Sequence, residues 1–247
     1  MGMVMIKITR ALLTILIIAF AINSPAAVFP HQANGFVITL PPGWVEIPQP
    51  NIEMASLELK KISPKDKYDF GYQFGKNLDG DWFKYPYILR SIYRHPKVDM
   101  KKIEKLENTT QDNLDRAVRG VAGKVSSISK IEIGKPKFDK EENVVWLKTS
   151  SLVEGVGNVY GITAVIPTTY GSIRLSGYSE ESQFIGFLSI FHEMVTTVKF
   201  SENIRYIVSD NFLPDWLIPD NPEKQIPQAI FGALIAAVAF YHQKNKS

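Results

Sequence analysis

Hydrophobic positions are arranged in two ways along this chain. At the ends they are nearly continuous: Ala11–Ile22 near the N-terminus and Ala229–Tyr241 near the C-terminus are apolar runs. Between them they alternate or recur with helical spacing, as in a folded domain. Phe36–Leu40 predicts a strand, Pro41, Pro42 and Gly43 a turn, and Trp44–Ile47 a short return strand. Ile52, Ala55, Leu59 and Ile62 recur at helical spacing up to Pro64. Asp69–Gly75 and Tyr87–Tyr93 predict two further strands, with the turn-rich Asn77–Asp81 between them.

The stripe Leu114, Val118, Val121 and Val125 predicts a helix, weakened by Gly120 and Gly123, on which Asp115 faces Arg119 one turn on. Four strands follow closely: Ile131–Phe138, Val144–Leu152, Asn158–Pro167 and Tyr170–Gly177. Their connections are too short for crossovers, so they form an antiparallel meander. Phe184, Phe187, Leu188, Phe191, Val195 and Val198 then mark a helix wide enough to cover a sheet, with Ser179 as its expected N-cap. Strands and helices in this order predict an α+β fold, an antiparallel sheet flanked by helices.

The terminal runs carry the expectations about location. Lys7 and Arg10, the twelve-residue apolar run and the small residues around Pro25 make residues 1–27 a secretory signal peptide, cleaved after Ala26 or Ala27. Residues 28–202 form the globular domain, and residues 203–228, with Pro214, Pro219, Pro222 and Pro227, a stiffened linker. Residues 229–241 are then a short transmembrane or membrane-associated helix, and the basic tail 242–247 suits the cytoplasmic side. The expected location is the cell membrane, single-pass, with the domain in the periplasm or outside the cell. Removing Lys7 and Arg10 takes the net charge from +3 to about +1, which gives no basic excess for nucleic acid. The chain has no Cys, which excludes disulfides, thiolate metal sites and thiol nucleophiles.

The segment GFVITLPPGWVEIP, Gly35–Pro48, resembles the opening hairpin of the PsbP-like superfamily: an alternating strand, a Pro/Gly turn and a Trp on the return. Ile162–Gly177 and the helix up to Phe200 look like its closing strand pair and helix, so the resemblance spans roughly residues 35–200. It implies an αβα sandwich and a protein that works by binding protein partners. It carries no catalytic motif to this chain. The C-terminal apolar segment departs from the photosynthetic members and sets a lumenal role aside.

Candidate chemistry is sparse. His192 and Glu193 begin like a zinc-protease helix, but Thr196 stands where the second His is needed, so no metal and no cofactor are expected. Ser172 follows a Gly but lies in a strand and is expected to face outward. Asp79 and Asp81 flank Gly80 in a turn. The aromatic-rich stretch after them offers the candidate partner contacts, Asp81, Trp82 and Tyr85, because such rings bury area and keep a polar atom. They could equally cover an edge of the core. The lysines at 97, 101, 102 and 105 form a solvated face. These features point to a non-catalytic interaction or assembly module with an unknown membrane or periplasmic partner. A hydrolase whose residues meet only in three dimensions, or a carrier of a small apolar ligand or lipid, stand as alternatives.

Overall fold

Alternation of buried and exposed positions organises the domain around one large sheet. A computed structural model describes residues 27–31, 35–60, 67–75, 82–94, 108–122, 128–169 and 171–201. The readings placed on the export signal, the linker, the C-terminal apolar helix and the basic tail fall outside these residues, apart from Ala27, as do Asn77–Asp81 and the lysine face. Among the described residues, no helix is long and apolar enough to cross a membrane.

The elements in chain order are β1 (Ala27–His31), β2 (Phe36–Leu40), β3 (Trp44–Glu46), α1 (Gln49–Lys60), β4 (Phe70–Phe74), β5 (Tyr87–Arg94) and α2 (Gln111–Ala122). Then follow β6 (Ile128–Ile133), β7 (Lys137–Asp139), β8 (Val144–Val153), β9 (Gly157–Thr168), β10 (Gly171–Glu180), α3 (Phe184–Thr196) and β11 (Lys199–Phe200). The large sheet runs β3-β4-β5-β10-β9-β8-β6, with β7 also on β8, and every pair is antiparallel. The predicted meander is present as β8-β9-β10. The strand predicted over Ile131–Phe138 is two pieces, because Gly134, Lys135 and Pro136 interrupt its ladder.

Both faces of the sheet are covered. Ile52 and Ala55 of α1 and Leu114 and Val118 of α2 pack on one face against Tyr87, Leu89, Leu147, Val153 and Tyr178. Phe187, Phe191, Met194 and Val195 of α3 pack on the other against Trp146, Ile162, Ala164, Ile173 and Leu175, beside Phe36, Ile38 and Leu40 of β2. This is the expected α+β sandwich. Gly177 of β10 lets α3 come close: a Cβ there would sit 2.5 Å from Phe187 Cζ and 2.7 Å from Phe191 Cδ2.

Three local expectations are corrected. β3 is not the return arm of a hairpin with β2. β2 lies in a separate three-stranded sheet, β1-β2-β11, while β3 pairs β4. Pro41 and Pro42 lack the amides a ladder needs, and Gly43 at φ +88° turns the chain from one sheet to the other. Ser179 is not a helix cap. It is fully buried in β10, its hydroxyl donates to Glu180 O, and Gln183 stands at the N-cap of α3 after the 3-10 turn Glu181–Gln183. Asp115 does not pair with Arg119; it accepts from Gln111 Nε2 at 2.9 Å.

Candidate functional site

Trp82 and Tyr85 lie in the segment that leads into β5, and Asp81 falls outside the described residues. Both rings are half-buried against the core beneath α1 and α2. Tyr85 stacks on Tyr87 with ring centres 5.3 Å apart, Phe83 meets Tyr87 edge-on at 5.7 Å, and Tyr87 meets Tyr178 at 5.3 Å. The backbone is held too: Lys84 N donates to Gln73 Oε1 at 2.9 Å. The structure thus joins Tyr85 to a row of aromatic rings and packs Trp82 against the same core. Each keeps a partly open side.

The hydroxyl groups gather elsewhere. Ser91, Ser151, Thr163, Ser172, Arg174 and Ser176 are buried on the sheet face beneath α1 and α2, so Ser172 does not face outward. Arg174 Nη2 donates to Ser91 Oγ at 3.3 Å, Ser91 Oγ donates to Lys67 O at 2.6 Å, and Thr163 and Ser176 share a bond of 3.1 Å. His192 is on the opposite face. Its ring stacks on Trp146 with centres 4.0 Å apart, and burial holds its pKa below the usual 6.5. Imidazole and hydroxyls are thereby separated by the thickness of the sheet. Among the described residues, no group of acids and histidines could hold a metal ion.

One feature open to a ligand is a groove of about 730 Å³ around the edge of the sheet at β6. Helical spacing puts Gln111, Asp115, Val118 and Arg119 of α2 along one wall. Strand alternation puts Glu132, Lys148, Ser150 and Tyr160 on the other wall, beside the start of α3. Phe184 closes that wall by stacking on Tyr160 at 5.0 Å.

The acids of this region are engaged with their own neighbours. Glu132 pairs with Lys130 at 2.6 Å and accepts from Ser150 Oγ at 3.4 Å; the hydrogen bond from Lys130 is the main cause that lowers its pKa. Asp115 holds Gln111, whose amide also donates to Ile133 O at 3.1 Å. Glu181 takes Asn158 Nδ2 at 2.8 Å and the Tyr160 hydroxyl at 3.3 Å, and its charge is the first cause that raises the Tyr160 pKa. The cations Arg119 and Lys148 make no ion pair or side-chain hydrogen bond among the described residues. Arg119 and Lys148 are therefore the lining groups open to an anionic partner group. Sequence reasoning missed the groove, because its polar residues sit one position off the apolar stripes and nothing local marks β6 as the end of the sheet.

Neither a family model nor a curated protein matches the chain. Solved structures do. The chain is similar to cyanobacterial PsbP from Synechocystis sp. PCC 6803, at 9% identity and a TM-score of 0.42, over 72% of this chain and 94% of that one. The chain is also similar to the Ran-binding protein Mog1p of Saccharomyces cerevisiae, at 11% identity and a TM-score of 0.40, over 72% and 96% of the two chains. A third similar structure is LpqN of Mycobacterium tuberculosis, involved in cell envelope biogenesis, at 12% identity and a TM-score of 0.39, over 72% and 91%. Overlays this loose carry no partner and no residue role to this chain.

Proposed function

We propose that this protein is an exported, non-catalytic interaction or assembly module, tethered to the cell membrane by Ala229–Tyr241 with its domain in the periplasm or outside the cell. One observation carries the interaction reading: the groove at β6 is open and holds two cations that no acid among the described residues pairs with. The tether reading rests on the sequence, where a removable apolar run precedes the domain and a second run with a basic tail follows a proline-rich stretch.

Two measurements test this. Fractionation with protease access should recover the chain with membranes and show the domain cleaved only from the outer side; a mature chain in the soluble fraction sinks the tether. Chemical crosslinking in intact cells, then purification in detergent, should give a reproducible heterologous adduct. A chain that always crosslinks to nothing sinks the interaction reading.

A further inference from the structure

The ladder of β6 shows what kind of partner the groove fits. Gly134 N donates inward to Lys148 O at 2.9 Å, in the register that pairs Glu132 with Ser150 and Lys130 with Leu152. In an antiparallel pair the residues between such positions turn their amide and carbonyl groups away from the partner strand. Ile131 and Ile133 therefore point theirs outward. The bond from Gln111 Nε2 to Ile133 O is made on that outer side. Among the described residues β6 pairs only β8, so the amide and carbonyl of Ile131 and the amide of Ile133 have no strand to meet.

Protein sheets commonly blunt such edges with bulges and charges. The first half of β6 is treated in that way: its register shifts between Ile128 and Lys130, and Lys130 is locked to Glu132. The half from Ile131 to Ile133 has no bulge, carries one charge, Glu132, and lines the groove. The groove draws its walls from both faces of the sheet, as the alternating side chains of an added strand require.

Building on the interaction reading above, we propose that the groove receives an extended, acidic segment of a protein partner. The segment pairs as an added strand with Ile131 and Ile133 and sets carboxylates against Arg119 and Lys148. Backbone bonds supply affinity and alternate side chains supply choice, as in other strand-addition complexes. The two unpaired cations favour an acidic segment over a second copy of this chain, which would bring a further Arg119 and Lys148 together with its own Asp115 and Glu132.

Selection of phage-displayed random peptides on the full chain in detergent tests this. Enriched peptides should carry carboxylates and slow hydrogen exchange at the Ile131 and Ile133 amides. N-methylation at alternate residues of a resynthesised peptide should weaken binding about tenfold. The double charge reversal Arg119→Glu with Lys148→Glu should weaken the acidic peptides about tenfold as well. No enrichment, a preference for neutral or basic peptides, indifference to N-methylation, or a dimer formed through β6 in sedimentation would each overturn the proposal. A cellular partner that crosslinks away from β6 would also overturn it and leave the interaction reading standing. A chain that never crosslinks removes that reading, whatever the peptides do.

Discussion

The guanidinium carbon of Arg90 lies 4.0 Å from the centre of the Phe70 ring, with the ring of Phe36 at 4.8 Å. Arg90 is fully buried, and its Nε, Nη1 and Nη2 have no hydrogen-bond acceptor among the described residues. Burial pushes its pKa down to about 10, against a smaller opposing pull from Tyr72, Asp69 and Glu46. Contact with ring faces offsets only part of the cost of removing this charge from water. Arg90→Met should therefore be neutral or stabilising, by up to about 2 kcal/mol. Arg90→Ala, which leaves a hole between the rings, should cost about 3 kcal/mol. Urea midpoints of the two variants check this; a Met variant as unstable as the Ala variant would show that the charge itself holds the site.

Alkaline pH should unfold the domain through its phenols. Burial raises the pKa values of Tyr72, Tyr87 and Tyr178 above the usual 10. The folded state then holds protons that the unfolded state releases, so this stability is present below about pH 10 and is lost as pH rises beyond it. Arg90 acts in the opposite sense. Its depressed pKa makes burial costly below about 10 and relieves that cost as pH rises beyond it. Three phenols against one guanidinium give a net loss. Tyrosine absorbance should rise together with unfolding; ionisation of all the phenols before any loss of ellipticity would refute this.

The His192 and Trp146 stack should report on acid. Burial is the leading cause that lowers the His192 pKa, so the folded state takes up its proton later than the unfolded state does. The neutral ring costs nothing above 6.5; stability declines as pH falls through 6.5 and levels off below the folded pKa. A protonated imidazole quenches an adjacent indole, so tryptophan emission should drop with a midpoint below 6.5. His192→Asn should abolish that step. An unchanged titration in the variant would assign the quenching to another group.

Gly177→Ala should destabilise by about 1–3 kcal/mol, since the added methyl meets two buried rings that have little room to move. Phe187→Leu in the same chain should recover part of the loss. Thermal melts of the single and double variants measure the coupling, and strict additivity would show that the methyl is accommodated elsewhere.

The elements with a single covered face were the most legible in sequence. The stripe Phe184, Phe187, Leu188, Phe191 and Val195 marked α3, and the alternation of Phe36, Ile38 and Leu40 marked β2. β10 was located, but its facing was not. Ile173 and Leu175 mark one face, and Ser172 was expected to face outward, yet it is buried with Arg174 and Ser176 on the other face. A strand buried on both sides gives no polar signal for outward. The assignment of β2 and β3 to different sheets was hidden for another reason: a turn looks the same whether the strand after it folds back or crosses over. Trp82 and Tyr85 stood out by composition alone, whereas the groove at β6 depends on which strand ends the sheet, and that is decided by pairings far apart in sequence.

The small sheet makes a clasp of the two ends of the domain. β11 meets β2 through two residue pairs only, helped by Thr197 Oγ1, which receives Thr39 N at 3.2 Å and donates to Thr39 O at 3.1 Å, and by Ser201 N on Gly35 O at 2.9 Å. Tension applied to the chain beyond Ser201 reaches the domain through this clasp. The small sheet is therefore where the domain gives way first under load, and Phe36, half of the sleeve around Arg90, would go with it. For a pull on that end of the domain, this join is a mechanical fuse.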